Sequence, residues 1–333
     1  MMSKLLTISI AAYNVSNFLP KIFEEFAQCQ QKDKLEVIIV NDGSTDEGKT
    51  LSVARYYESQ FPTFTTVIDK INGGHGSTIN AGMAVASGKY FRPLDGDDWL
   101  DHQALDALLC KLETCNADLV VCNHTNYYEN NGTRIITPHF QFDADVEYLL
   151  NDKITDLKMM RYHDIYYKTE ILQSNPIAIT EHCFYTDIEY ITYPLQYVKN
   201  VIRFDLAPYF YRIGVEGQSI SYIGYQKHAA EHRRIFDNML EFYCANKDAW
   251  SAGMRDYVCS LLGMLSGSHL YIFFTHKFSI QWQRKAIEFD NIVKRYPEIY
   301  RCCTRKAVKI WRKNRTALYF PVTVWVNIKE HVN

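Results

Sequence analysis

Between residues 6 and 123 the chain alternates short apolar runs with helical patterns, and this alternation restricts the fold more than any other feature. The runs are 6–12 (LTISIAA), 35–41 (LEVIIVN), 64–69 (FTTVID), 89–95 (KYFRPLD) and 117–123 (ADLVVCN). Each is short and rich in Val, Ile or aromatic residues, which reads as a buried strand. Between them, 17–29, about 46–61, 77–86 and the segment DHQALDALLCKLE from Asp101 have helical apolar spacing. The alternation predicts an α/β domain with a mostly parallel sheet covered on both faces. Ligands of such sheets bind beyond the carboxyl ends of the strands. Asp42, the loop 72–76 and the acids 95–98 all fall at such ends, so they are expected to converge on one edge.

The acids form the sequence LDGDDW, in which Asp95, Asp97 and Asp98 crowd together. Neighbouring carboxylates raise each other's pKa unless a cation lies between them. Oxygen-only ligation by one or two carboxylates suits Mg²⁺ or Mn²⁺. In an extended segment Asp95 and Asp97 project to the same side, and Gly96 lets a ligand approach closely. The alternative is a capped helix start, with Asp98 capping the helix that begins near Asp101. The position of the acids at the end of an apolar strand favours a metal site on Asp95 and Asp97. Asp42, in VNDGSTDEG, could accept from an N–H of a base, or could belong to a plain turn capped by Ser44 or Asp46. INGGHGSTINAG (71–82) is a glycine loop whose backbone N–H groups could meet phosphate. It is not a Walker A loop, and AAYNVSNF replaces any G-x-G-x-x-G after the first run, which argues against a dinucleotide oxidoreductase.

At 47% hydrophobic and 22% charged over 333 residues, the balance is that of a soluble globular protein. Nine cysteines without a C-x-x-C pair or a zinc spacing read as reduced thiols in a cytoplasmic protein. No signal peptide opens the chain. Residues 257–275 carry no Asp, Glu, Lys or Arg and could span a bilayer by length, but their Ser, His and Thr residues favour a buried helix. The net charge of −2 is uneven. From Arg301 onward there are eight Lys or Arg and one Glu, so the tail is +7 and the remainder −9. The tail 305–326 (RKAVKIWRKNRTALYFPVTVWV) interleaves basic and apolar residues, as a peripheral contact with an anionic membrane surface would require, or a helix packed on the body. No nucleic-acid-reading module accompanies it.

The order SIAAYN, VIIVNDGSTD, NGGHGSTINAG, GKYFRPLDGDDW resembles the family-2 inverting glycosyltransferases of the GT-A fold, of the bacterial surface or capsular polysaccharide type. The resemblance covers about the first 125 residues. It implies a Rossmann-like nucleotide-sugar-binding half in 1–125, an acceptor and catalytic-base half in 126–222, and a helical C-terminal region in 223–333. Ala12 and Tyr13 would flank the base, and Asp42 would hydrogen-bond it. Asn72, Gly73, Gly74, His75 and Asn80 would line the ribose and diphosphate. Asp95 would contact the ribose or the metal, Asp97 would be the main ligand, and Trp99 and Leu100 would pack behind. Ile79 stands where many members carry Arg, so the donor loses a charged contact there.

Inverting transfer also needs a base. In ITEHCFYTDIEYITYPL (179–195) Asp187 is the candidate, with Glu181 and Glu189 as runners-up. A helix N-terminal acid is the plainer role for Asp187. In YFYRIGVEGQSIS (209–221), Arg212, Gln218 and Ser219 could close over the diphosphate, or Arg212 could pair with a surface acid. The expected function is therefore Mn²⁺- or Mg²⁺-dependent transfer of a hexose or N-acetylhexosamine from a UDP-sugar to a glycan or lipid-linked glycan. The location would be the cytoplasm or the inner face of the plasma membrane. The rival readings are a nucleotidyltransferase acting on a sugar phosphate, which would release pyrophosphate, and a non-catalytic nucleotide- or glycan-binding protein.

Overall fold

Four parallel strands form the heart of the sheet: β1 (Leu6–Ala12), β2 (Leu35–Asp42), β3 (Thr65–Lys70) and β4 (Tyr90–Asp95), in the order β3-β2-β1-β4. β1 and β2 are buried along almost their whole length, as their unbroken apolar runs require of inner parallel strands. They alternate with α1 (Leu19–Gln28), α2 (Lys49–Gln60), α3 (His75–Val85) and α4 (His102–Thr114). Register sets the site. Ala11 lies opposite Asp95, Ala12 opposite Asn41, and Asp42 opposite Lys70, so the strands end together along one edge.

The computed structural model describes residues 4–138, 140–157, 160–214 and 222–332, and the chain divides into two compact units, 1–215 and 216–333. In the first unit the expected fifth strand, β6 (Leu119–Val121), is not the neighbour of β4. β10 (Ile165–Lys168) runs antiparallel between them, and β11 (Asn200–Arg203) and β9 (Glu147–Leu149) complete eight strands. A second sheet joins β5 (Trp99–Leu100), β12 (Tyr209–Ile213), β7 (His124–Tyr128) and β8 (Thr133–Thr137) in that order. The boundary expected after residue 125 falls inside β7, and β10 threads between strands of the first 125 residues. The two expected halves therefore share one sheet and one unit. The short helices α5 (Leu150–Lys153), α6 (Thr169–Ser174) and α7 (Asp187–Thr192) complete this unit.

The second unit is helical: α8 (Tyr222–Lys227), α9 (Ala229–Asn246), α10 (Ala252–Thr275), α11 (Ile280–Lys294), α12 (Pro297–Arg301), α13 (Lys306–Trp311) and α14 (Tyr319–Val332). α10 is long and apolar enough to cross a membrane, but 78% of its most apolar window is buried, packed by α9, α11, α12, α13 and α14. The tail read as one amphipathic stretch is two helices. Trp311 is buried with its Nε1 donating to the Arg315 carbonyl at 2.7 Å, and Arg312 and Arg315 pair with buried Asp290 at 2.8 and 3.2 Å. Two of the eight tail cations are thus held within the unit by one buried acid.

Candidate active site

The glycine loop is built around Asp42. Its buried Oδ1 accepts from Lys70 Nζ at 2.7 Å, the Gly73 N–H at 2.9 Å and Ser77 Oγ at 3.1 Å, and its Oδ2 accepts from the Gly74 N–H at 2.8 Å. Asn72 Nδ2 donates to the Asp42 carbonyl at 2.8 Å. Gly43 is obligatory here: its φ is +61°, and a Cβ would lie 2.6 Å from the Asn72 nitrogen. At the end of β1, Ala12 is buried and the Tyr13 ring is exposed. Asn14 fixes that turn, accepting from the Thr45 N–H at 2.8 Å while its own N–H donates to Ser44 Oγ at 3.1 Å.

The three aspartates have different fates. Asp98 is buried and committed to the fold: Oδ2 accepts from the Tyr209 hydroxyl and Oδ1 from the Arg212 N–H at 2.7 Å. Burial, with Asp97 and Asp95 adding, raises its carboxyl well above the usual range. The cap of α4 is Asp101, which accepts from the Ala104 N–H at 2.9 Å, so Asp98 does not cap that helix. Burial likewise raises Asp97, and the charge of Asp95 adds to the shift, to about 6. Gly96 between them packs so closely on β1 that a Cβ would sit 2.5 Å from the Ala11 carbonyl oxygen. Arg212 grips this loop from β12: its Nε donates to the Asp97 carbonyl at 2.7 Å, and it pairs with Glu129 at 2.8 Å. Its guanidinium lies over Trp99, 4.8 Å from the ring centroid. Gln218 and Ser219 lie outside the described residues.

Asp95 also meets His75. His75 Nε2 meets Asp95 Oδ1 at 3.1 Å and its Nδ1 meets Thr186 Oγ1 at 3.1 Å, while the Tyr162 hydroxyl lies 3.3 Å from Nε2. Burial opposes the charged imidazole, but the hydrogen bond and charge of Asp95, with Asp187 and Asp42 further off, raise its pKa. Burial would raise Asp95 in turn, and the His75 partnership outweighs it and holds the carboxyl low. His75 therefore joins the end of β4 to the start of α7, where Asp187 stands. Burial raises Asp187 above the usual carboxylate range, with His75 partly opposing.

Of the other candidates, Asn80 is committed to the segment leading to α7: it donates to the Ile179 carbonyl at 2.8 Å and accepts from the Ile179 N–H at 2.9 Å. Glu189 is buried and holds the Thr180 N–H at 2.7 Å and the Thr180 hydroxyl at 2.8 Å, which makes it a brace. Ile79 is buried. Two contributors escaped the sequence reading, and the placement of a third, His163 in the irregular middle, could not be derived from it. Lys70 neutralises Asp42 from the facing strand end. Arg92 lies wholly buried behind Asp95, between the Tyr166 and Tyr209 rings at 4.9 and 4.4 Å. His163 stacks on Tyr211 at 4.3 Å. A cation in the middle of the run KYFRPLD was a signal for Arg92, and Lys70 directly after FTTVID was a weaker one; the irregular middle held His163 but gave no geometry for it.

The residues fit a divalent cation. Burial, with the charge of Asp95 adding, lifts Asp97 to about 6, and a cation beside Asp95 and Asp97 would offset both effects. Asp95, Asp98 and His163 also bring ligand atoms within 4.8 Å of one another, though both Asp98 oxygens already accept from the fold. Glu25, Asp101 and His102 do the same, but there Glu25 pairs with Lys21 at 2.6 Å and His102 at 2.7 Å, and Asp101 caps α4.

An edge of acids and glycines at the ends of parallel strands, interrupted by one antiparallel strand, defines an α/β domain with its candidate site at the strand ends. Residues 7–176 match the family described as Glycosyl transferase family 2, and the chain belongs to that family. It is similar to the putative glycosyltransferase EpsH of Bacillus subtilis, at 25% identity over 58% of this chain and 60% of that one. It also resembles the chondroitin synthase of Pasteurella multocida, at 36% identity over 36% of this chain and 12% of that one. The chain thus spans less than two thirds of each relative. In fold it matches S. aureus TarS solved with UDP-GlcNAc, with a TM-score of 0.68 and 18% identity, covering 98% of this chain and 91% of that one. It also matches the mannosyltransferase PcManGT of Pyrobaculum calidifontis solved with GDP-Man and Mn²⁺, with a TM-score of 0.53 and 13% identity, covering 98% and 88%. The GT-A arrangement expected from the sequence is the one observed.

Proposed function

We propose that the chain is an inverting, metal-dependent glycosyltransferase that moves a hexose or N-acetylhexosamine from a UDP-sugar to a hydroxyl of a glycan or lipid-linked glycan. It would act in surface polysaccharide synthesis on the cytoplasmic side of the membrane. The observation that supports this reading is the His75 bridge, which links Asp95 at the end of β4 to Thr186, the neighbour of Asp187 at the start of α7. The UDP-GlcNAc bound by TarS and the polymer made by chondroitin synthase support the donor and product class.

The exposed Tyr13 ring would stack on the base. Asp42 would offer its less crowded Oδ2 to a base N–H, while its other oxygen holds the loop 73–77. Asp95 and Asp97 would hold Mn²⁺ or Mg²⁺, whose charge stabilises the leaving diphosphate. Asp187 takes the proton of the acceptor hydroxyl as that oxygen bonds the anomeric carbon. The bond from that carbon to the phosphate oxygen breaks on the opposite side, and the diphosphate leaves with the electron pair. A carboxylate raised by burial is better matched to this task than one at its ordinary value. His75 and Thr186 orient the segment that carries Asp187. The test is product analysis with a panel of UDP- and GDP-sugars: release of a nucleoside diphosphate and an inverted linkage are expected. Release of pyrophosphate, or retention at the anomeric carbon, would overturn the reading.

A further inference from the structure

α14 carries apolar side chains on both its inward and its outward face. From Tyr319 to Ile328 it has no Asp, Glu, Lys or Arg. Tyr319, Val322 and Val326 turn inward and are buried, whereas Phe320, Val324, Trp325 and Ile328 are 54, 40, 40 and 61% exposed. Their spacing places these four on one outward face. Phe278, also exposed, extends the face with its ring 5.1 Å from that of Phe320. A helix that is hydrophobic all round ordinarily has its outer face covered as well.

The margin of this face is basic. A cavity of about 90 Å³ opens there, lined by Tyr271, Arg305, Lys306, Trp325 and Lys329 among others, with no acid in its lining. Arg305 lies over the Tyr271 ring at 4.4 Å, which fixes its direction. Lys306, Lys309 and Lys313 are exposed nearby in the sequence, in a tail that carries eight cations and one acid. A second copy docked by two-fold symmetry would bring the same patch, cations included, to the same interface. An anionic bilayer supplies both complements at once: an acyl boundary for the apolar face and phosphates for the margin. We propose that the outward face of α14 seats on an anionic membrane surface, with Phe320, Val324, Trp325 and Ile328 in the interface and Arg305, Lys306 and Lys329 on lipid phosphates. The inference stands independently of the donor chemistry.

The test is flotation of the full chain with vesicles of phosphatidylcholine alone and of phosphatidylcholine mixed with phosphatidylglycerol. The chain should float with the mixed vesicles about tenfold more than with the neutral ones, and high salt should release most of it. Trp325→Ser with Ile328→Ser should weaken binding about tenfold at any salt. Lys306→Glu with Lys329→Glu should abolish the preference for the anionic lipid. All four side chains are exposed, so an unchanged melting temperature and unchanged donor hydrolysis separate lost docking from lost folding. A chain that stays at the bottom with both vesicles overturns the proposal. So does a dimer in sedimentation that the Trp325→Ser, Ile328→Ser variant splits, because the face would then be an interface between copies.

Discussion

Gly76 shows how tightly the two sides of the site are locked. A Cβ at this position would lie 2.1 Å from the Thr180 carbonyl oxygen and 3.0 Å from Ile179 Cγ2. An ordinary contact begins at 3.4 Å, so Gly76→Ala must part the start of α3 from the 179–180 segment by about 1.3 Å. The obstacle is backbone, and Asn80 and Glu189 pin that backbone from both sides. The displacement therefore passes into His75 and the entry to α7, where Asp187 stands. A misplacement of about 1 Å costs on the order of 10²-fold in rate, and the strained contact costs about 1–3 kcal/mol of stability. The assay is steady-state sugar transfer on the purified variant, with nucleotide affinity measured in parallel by calorimetry. Turnover should fall about 10²-fold while UDP affinity changes less than about threefold. Wild-type turnover in a variant with wild-type stability would refute the claim that the fit of α3 against 179–180 sets the geometry.

Asp187→Asn should lower turnover by about 10²–10⁴-fold with little change in donor affinity, seen by comparing transfer rates with UDP-sugar binding. Lys70→Met removes the cation from buried Asp42 and should cost about 3 kcal/mol of stability, read as a lower melting temperature together with weaker nucleotide binding. Part of the pH dependence of the helical unit follows from His232, which burial depresses from 6.5 to about 4, beside His269, which burial depresses in the same direction. The folded state binds the proton less tightly than the unfolded chain does. The stability contributed by neutral His232 is therefore fully present above about pH 6.5 and is lost as pH falls toward 4, by roughly 3 kcal/mol. Urea melts between pH 7 and 4 should show that loss shrink in His232→Phe.

Much of the fold was legible because β1, β2 and β4 are largely apolar runs, and β2 and β4 end in aspartates, as buried parallel strands with a site at their ends do. The order of strands beyond β4 was not. β10 is only Ile165–Lys168 within an irregular, aromatic stretch, and its place between β4 and β6 comes from long-range pairing that no local pattern encodes. At the site, the position of Asp42, Asp95 and Asp97 could be read from strand ends, but the partners could not. Lys70 meets Asp42 through strand register, Tyr209 and Arg212 take up Asp98 from a strand more than 100 residues away, and the loop glycines answer to neighbours far along the chain. Asn80 was read as lining the ribose and diphosphate, whereas its amide braces the segment before α7, because an amide that donates and accepts suits a backbone N–H and carbonyl equally well. The tail's charge was visible, but its division between an internal role on Asp290 and an outward margin on α14 depends on which way each helix turns.

The measurement that bears most directly on the account is hydrolysis and transfer of UDP-sugars by the wild type and by Asp97→Ala, each with Mn²⁺, with Mg²⁺ and with EDTA. The account predicts metal-dependent release of UDP from at least one donor, abolished by EDTA and lowered by at least about 10²-fold in Asp97→Ala, with the variant still folded. Release of UDP that survives both EDTA and the loss of Asp97 would contradict it, and the crowded acids at the end of β4 would then be a buried turn held by Tyr209 and Arg212.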